Sequence, residues 1–373
     1  MDPITAATHT DPYPYYASLQ ARGGMTFDPQ LNLWIACSAE AVCAVLRHPD
    51  CHVRPAHEPV PRAIADGPAG RVFGRLMRMN EGERQRCPRA AIAPVLQDID
   101  PQQIEALVRA RFLRNGAEGL HHAQFIGPAS VVAALLGFNP ADSRLISELT
   151  GDFVAGLSSL SDATQLDAAH RASEQLATFF QERIEAQDNP WLARICQGFN
   201  GLDQDGLIAN LIGLLSQTYE ATAGLIGNAL LALIRDPALH QVLGIDPTQI
   251  GSLLAEVQRL DPSVQNTRRF VTAPCDILGT TLKPGEVILL VLASANRDPQ
   301  LNPQPDVMLL ERANRRSFSF GTGRHECPGQ TLALGIAHAT LGAILARELP
   351  LDQLAWRYRP SLNGRVPLFS DRA

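Results

Sequence analysis

The sequence predicts a mainly α-helical fold with a small β-rich portion, and three observations carry that reading. A run from Asp203 to Ile234 holds no proline and is apolar on every side of the helical wheel. Helical periodicity dominates from about 101 to 190. After Leu260 the period changes and short β-type runs take over. A helix apolar all round is buried through the middle of a protein, and at 1.5 Å per residue the 203–234 run would be roughly 45 Å long.

In chain order, Trp34-Ile35-Ala36-Cys37 reads as a short strand, and Ala39 to Arg47 as a helix that stops before Pro49. Residues 54–72 carry Pro55, Pro59, Pro61 and Pro68 among several glycines and read as a long irregular loop, a feature often functional in compact domains. Helices are expected over Gln102 to Phe112 and Ala163 to Ile184, and another from Pro247 to Leu260 that ends before Pro262. Strands follow at Phe270-Val271-Thr272, Cys275 to Leu278 and Val287 to Leu292, with turns at Gly279 and Pro284-Gly285. Asn363-Gly364 signals a closing hairpin between Ser361-Leu362 and Val366-Pro367-Leu368. The 27 prolines and 28 glycines are scattered between helical blocks, with no linker or repeat, so residues 1–373 are read as one domain.

Composition removes several function classes. The 373 residues are 45% hydrophobic and 19% charged, below the roughly 25% charged share of ordinary soluble domains. Such a chain can bury a large core without disulfides or metal clips. No stretch of about 18 residues is uniformly apolar, so no membrane span is expected. The segment from Met1 to Tyr16 lacks a basic region followed by an apolar one, so no secretory leader is read there. A net charge of -6, from 32 basic and 38 acidic residues, disfavours nucleic-acid binding. Seven cysteines with no CxxC pair argue against a disulfide frame or zinc ribbon, and a cytoplasmic protein is expected.

The segment richest in chemistry is Phe318-Ser319-Phe320-Gly321-Thr322-Gly323-Arg324-His325-Glu326-Cys327-Pro328-Gly329-Gln330. Two glycines make a tight turn, and Cys327 falls just ahead of an apolar helix. A helix N-terminus favours an anionic thiolate, which can act as a nucleophile or as a ligand to a soft metal.

The run Phe320-x-x-Gly323-x-x-x-Cys327-x-Gly329, with His325 two residues before the cysteine, resembles the haem-binding loop of the cytochrome P450 family. The resemblance implies the cytochrome P450 fold, with the long central helix over a buried haem b (iron protoporphyrin IX). It makes Cys327 the axial thiolate ligand of the iron, where sulfur favours O–O cleavage. Phe320 and Gly329 belong to the cofactor-binding loop. Glu256-Val257-Gln258-Arg259 resembles the family's Glu-x-x-Arg, whose two side chains share a helix face. The family's third partner is replaced here by Pro305-Asp306-Val307-Met308, which lacks the arginine, so Arg312 is taken as its substitute.

Thr267-Arg268-Arg269-Phe270-Val271 resembles the segment whose arginine binds a haem propionate, and spacing selects Arg269, with His325 as a second partner. A guanidinium offers two parallel donors to a carboxylate. The family's His-x-x-x-Arg helix falls on Arg84 and Pro88. Either the helix begins near Pro88, or Arg84 alone serves the haem, because proline inside a helix removes a donor.

On the central helix the family's Ala/Gly-Gly-x-Asp/Glu-Thr reads Gln217-Thr218-Tyr219-Glu220-Ala221-Thr222. The acid is Glu220, the alcohol position is Ala221, and Thr222 stands about 100° further round. Glu220, Gln217, Ala221 and Thr222 are therefore the candidate catalytic positions. Leu214, Val264, Gln265, Asn266, Leu362 and Asn363 are expected to line the substrate pocket.

The implied activity is monooxygenation, a hydroxylation or epoxidation of a small organic molecule in specialised metabolism. Ala221 keeps open peroxide-driven or non-oxygen-inserting outcomes such as coupling, desaturation or rearrangement. More remote alternatives are a haem-based sensor and a cysteine hydrolase using Cys327 and His325. A monomer is expected, with a separate ferredoxin or flavodoxin and reductase as electron source. Arg315, Arg316 and Arg324, with Arg78, Arg84, Arg86 and Arg89, are read as a positive patch for that acidic partner.

Overall fold

A computed structural model describes residues 1–111, 116–199, 203–347 and 349–372. Phe112, expected to close a helix, lies outside the described residues. The chain divides into two compact units. One comprises Met1–His57, Gly224–Cys327 and Pro350–Ala373, and the other Glu58–Ala223 and Pro328–Leu349.

The first unit is built on a five-stranded sheet in the order Met25–Asp28, Leu33–Ala36, Val287–Leu290, Thr267–Val271, Cys51–His52. Trp34 to Ala36 runs parallel to Ile288 to Leu290, and Thr267 to Phe270 runs antiparallel to the same strand. Val287-Ile288-Leu289-Leu290 is apolar throughout because both of its faces are covered, as central strands require. Ile288 and Leu290 pack with Val42, Val45 and Leu46 of the helix Ala39–Arg47. On the other face, Leu289 and Val291 pack with Tyr16, Leu19 and Ile35. The strand ends at Leu290, and Leu292–Ala295 turns into a short helix, so the expected strand to Leu292 is two residues too long.

A clasp in this unit closes around Arg365, which is 0% exposed. Its guanidinium donates to Asp261 Oδ1 at 2.6 Å and to the carbonyls of Ala7, His9 and Thr10. Asn228, on the central helix, donates to the carbonyls of Asp261 and Arg365. The closing hairpin differs from its sequence reading. Leu354–Tyr358 pairs with Pro367–Asp371, so eight residues connect the strands instead of a two-residue Asn-Gly turn. Gly364 donates its N–H to Ser361 Oγ at 2.8 Å and forms an isolated bridge with Val264, which draws the segment away from a tight turn.

The second unit is helical. Its helices include Glu83–Gln97, Pro101–Arg111, Pro140–Ala155, Ala163–Ala186 and Gln330–Leu345. The loop expected over 54–72 holds a 3-10 turn at Arg62–Ile64 and the start of a helix, Pro68–Arg75. Pro68 stands at the first helical position, where its fixed φ and missing N–H do no harm. Glu83–Gln97 contains Pro88 and Pro94. The helix therefore starts five residues before Pro88, not at it, after Gly82 at φ 61°.

The central helix spans Gln204–Arg235. It counts its residues up to Ala223 with the second unit and those from Gly224 with the first. Asn210 fastens its early turns: Oδ1 accepts from Met77 N at 2.8 Å, and Nδ2 donates to the Arg75 carbonyl at 3.0 Å. No described helix is long and apolar enough to cross a membrane.

Candidate active site

In the first unit the cysteine loop is a tightly held turn. Gly321 and Gly323 take φ of 71° and 74°, a region that L side chains rarely adopt. Cys327 donates its N–H to the Phe320 carbonyl at 2.8 Å and closes the loop. Phe318 is buried at 9% exposure and roots the loop in the core, while Phe320 is half-buried. Arg324 donates to the carbonyls of His48, Pro49 and Cys51. Cys51 in turn pairs with Val271, two residues along the strand from Arg269. The Cys51 backbone thus joins the arginine strand to the loop that carries His325. Arg269 is 6% exposed, whereas Arg268 is exposed. Gly329 caps the helix that follows the loop.

Behind the loop lies a buried charge cluster. Glu256, on the helix Ile250–Leu260, is 0% exposed. It accepts from Arg259 at 2.7 Å and 3.1 Å, from Arg312 Nε at 2.9 Å, from Arg315 Nε at 2.9 Å and from Leu309 N at 3.2 Å. Burial alone would raise the Glu256 pKa, yet hydrogen bonds from Arg259 and Arg312 leave it below the usual carboxylate range. Arg259, also 0% exposed, donates onward to the carbonyls of Pro305 and Val307. The cluster therefore fixes the backbone of residues 303–310. Two residues along the same helix, the Gln258 carbonyl accepts from Ser319 Oγ and Asn296 Nδ2, and Asn296 Oδ1 accepts from Phe318 N at 2.6 Å. The Glu-x-x-Arg helix and the cysteine loop are thereby one hydrogen-bonded body.

The other cysteines differ in character. Burial pushes the thiols of Cys37 and Cys51 up to about 12, which keeps both protonated at neutral pH. Among the described residues no three His, Cys, Asp or Glu side chains cluster as a metal-ligand set. A single soft donor on a rigid loop, with a buried arginine and a histidine tied to the same backbone, fits an iron porphyrin bearing carboxylates.

The central helix is buried from Leu207 to Leu231 except at four positions, all of them in the second unit. Gln217 and Ala221 are exposed, and Thr218 and Glu220 are partly exposed. These four share one face, since they fall at i, i+1, i+3 and i+4. Thr222 is 2% exposed and stands off that face, about 100° round from Ala221. It is therefore corrected from a candidate relay alcohol to a buried helix residue. The Thr218 hydroxyl is committed to the Leu214 carbonyl at 2.8 Å. Leu214 itself is buried at 9% exposure, one turn before the exposed stripe.

Arg78 differs in setting from the other arginines of the expected patch. It belongs to the turn Met77–Met79, which Asn210 holds to the central helix. Burial lowers its pKa to about 10, and the charge of Glu220 opposes that fall. Arg78 is half-buried, unlike exposed Arg84 and Arg316, and it senses the charge of Glu220. Its setting in Leu76-Met77-Arg78-Met79, a lone charge among large apolar residues, was the available signal.

The expected positive patch shrinks further. Arg315 is bound to Glu256, Arg324 is spent on three backbone carbonyls, and Arg86 pairs with Glu83. Arg316 and Arg84 are exposed. Two expected pocket contacts are also corrected. Gln265 is 0% exposed; its amide accepts from Tyr16 and donates to the Pro262 carbonyl. Asn266 Nδ2 donates to the Leu362 carbonyl at 3.0 Å. Val264 is half-buried, and exposed Asn363 gives its carbonyl to Gln265 N, so this segment serves first as a clasp.

A family model described as cytochrome P450 matches residues 251–347, which hold both the Glu256 cluster and the cysteine loop. The chain is similar to the biotin biosynthesis cytochrome P450 of Bacillus subtilis (strain 168), 29% identical over 244 residues, 63% of this chain and 62% of that protein. It is also similar to the vitamin D(3) 25-hydroxylase of Pseudonocardia autotrophica, 31% identical over 258 residues, 65% of this chain and 62% of that protein. In sequence the chain thus matches less than two thirds of the length of these relatives. Among solved structures, P450BioI in complex with hexadec-9Z-enoic acid ligated acyl carrier protein superposes with a TM-score of 0.80 at 24% identity, over 97% of this chain and 99% of that one.

Proposed function

We propose that the chain is a member of the cytochrome P450 family, which the match over residues 251–347 and the similarity to P450 relatives support, and that it is a haem-thiolate enzyme that inserts one oxygen atom into a small organic molecule, by hydroxylation or epoxidation, in specialised metabolism. The observation that carries this reading is the Cys327 loop, held in one hydrogen-bonded body with the Glu256 cluster. In the proposal Cys327 ligates the iron of haem b, Phe320 and Gly329 shape the loop, and Arg269, His325 and Arg84 take the propionates. When bound, the haem supplies reductive activation of dioxygen, with sulfur donation favouring O–O cleavage. Glu220 holds a proton at its carboxylate on the exposed stripe and delivers it, with Gln217 one turn back as a hydrogen-bonding neighbour. Ala221 leaves room on that face. The protein works as a cytoplasmic monomer, and its electrons come from a separate ferredoxin or flavodoxin and its reductase.

A second reading has its own support. The hydroxyl on the stripe, that of Thr218, is spent on the Leu214 carbonyl, and Thr222 is buried off that face. That pattern favours peroxide-driven oxidation or an outcome without oxygen insertion. The two are separated with 18O2 and a substrate panel that begins with a secosteroid and a hexadecenoyl chain, free and carrier-linked, after the relatives. Turnover driven by NADH and ferredoxin with one labelled oxygen in the product is the expected result. Product formed only with hydrogen peroxide, or formed without label, overturns monooxygenation in favour of the second reading.

A further inference from the structure

We propose that Gln124 is a positioning residue for Glu220: from a π-helical turn it sets the rotation of the central helix and so keeps the stripe of Gln217, Thr218, Glu220 and Ala221 facing outward. This rests on the reading of Glu220 as the proton-delivering acid. The helix Gly116–His121 passes through a five-residue π-turn, His122–Ile126, into the helix Gly127–Leu135. The Gly127 N–H closes that turn by donating to the His122 carbonyl, five residues back. Such a turn holds one residue more than an α-helical turn and is found frequently at functional sites. Gln124 is 1% exposed, and its Nε2 donates to the Ala223 carbonyl of the central helix at 2.9 Å. A carbonyl has two lone pairs, so Ala223 takes this donor beside its own helix bond. The neighbouring Phe125, also buried, meets the Tyr219 ring at 5.7 Å between centroids. Tyr219 is shut in further by Gly151 of the helix Pro140–Ala155, where an added Cβ would stand 2.6 Å from its hydroxyl oxygen. Tyr219 and Ala223 are one turn apart, and each lies about 200° round the helix from a member of the stripe, Gln217 and Ala221 respectively. The π-turn thus grips the central helix at two points directly behind the exposed stripe. Apolar contact is non-directional, whereas a hydrogen bond to one carbonyl fixes an angle, so Gln124 is the grip that sets rotation.

The test uses the full-length protein with two substitutions of similar volume: Gln124→Leu, which removes the donor, and Gln124→Glu, whose carboxyl donates only while protonated. Hydrogen exchange of the backbone amides of 217–227 needs no haem. Product formed per NADH is measured in the haem-loaded enzyme on the panel substrate it turns over best, beside peroxide-driven turnover, and every comparison is made with the unsubstituted protein at the same pH. Gln124→Leu should speed the exchange about tenfold, the equivalent of one hydrogen bond lost. It should also lower product per NADH about tenfold, as small misplacements of a reacting group do, while peroxide-driven turnover stays within about twofold. Gln124→Glu should match the unsubstituted protein at the acid end and fall to the Gln124→Leu level as pH rises toward about 9, the range into which burial raises a glutamate. A side chain that only fills space gives no such step. Unchanged exchange, unchanged product per NADH, equal losses on both routes, or a flat pH profile for Gln124→Glu each overturns the proposal. Should Gln124→Leu fail to fold, the pH step of Gln124→Glu decides; a Gln124→Glu protein that fails to fold at acid pH, where its donor is present, overturns the proposal. A loss in Glu220→Gln beside an inert Gln124→Leu sinks this proposal alone, whereas an inert Glu220→Gln sinks the acid reading and leaves the exchange result to score the grip by itself.

Discussion

Glu256→Ala is expected to lower folding stability by about 3–5 kcal/mol, the usual cost of stranding a buried charge partner. Three guanidiniums converge on this one carboxylate, and two of them, Arg259 and Arg312, are 0% and 4% exposed. With Glu256 gone, they repel one another and retain only carbonyl acceptors. The backbone of 303–310 then loosens, and through Gln258, Ser319 and Asn296 so does the loop of Cys327. Haem retention should therefore fall along with the melting temperature. Glu256→Gln should be nearly as damaging, since the amide keeps one acceptor but loses the charge. The same cluster sets a pH dependence. The Glu256 carboxyl titrates lower folded than its unfolded value of about 4.3. Its stabilisation is thus complete above that value and is lost as pH falls through the folded pKa. Thermal unfolding followed from pH 7 down to pH 3 (about the onset of carboxylate protonation) checks this. A Glu256→Ala variant that melts with the unsubstituted protein, or shows the same acid sensitivity, contradicts the assignment.

Glu220→Gln should cut NADH-driven turnover about 100-fold, the lower end of what a positioned acid–base group contributes. Gln is nearly isosteric, so the exposed stripe keeps its shape while losing its ionisable proton. Peroxide brings two of the required protons with its oxygen, so peroxide-driven oxidation by the same variant should stay within about twofold. The split between the two routes, measured on one preparation, isolates proton delivery from substrate binding. Equal losses on both routes would mean that Glu220 shapes the pocket and moves no proton. No loss on either would assign the relay to water alone.

Much of this was legible because it is local in sequence. The cysteine loop is a run of thirteen adjacent residues, and the Glu256–Arg259 pair sits on one helical turn. The proline-free central helix and the buried central strand announce themselves by composition and period. What escaped the sequence depends on which distant charges meet. Arg315 and Arg324 look like solvent-facing cations until the chain brings Glu256 and the carbonyls of 48–51 to them. Asn363-Gly364 carries a strong hairpin signal, yet its partners are Ser361 and Val264, and the strand it was meant to serve lies earlier, at Leu354–Tyr358. Thr222 could be weighed only once burial showed which face of the helix is open.

Sulfur ligation by Cys327 is the claim on which the functional account stands, and the carbon monoxide difference spectrum of the reduced, haem-loaded protein tests it most directly. The account predicts a Soret maximum at the long-wavelength position of thiolate ligation, moved by Cys327→His to the shorter-wavelength position of imidazole ligation. An unsubstituted protein already absorbing at the imidazole position, or a Cys327→His variant that keeps the thiolate band, would contradict it.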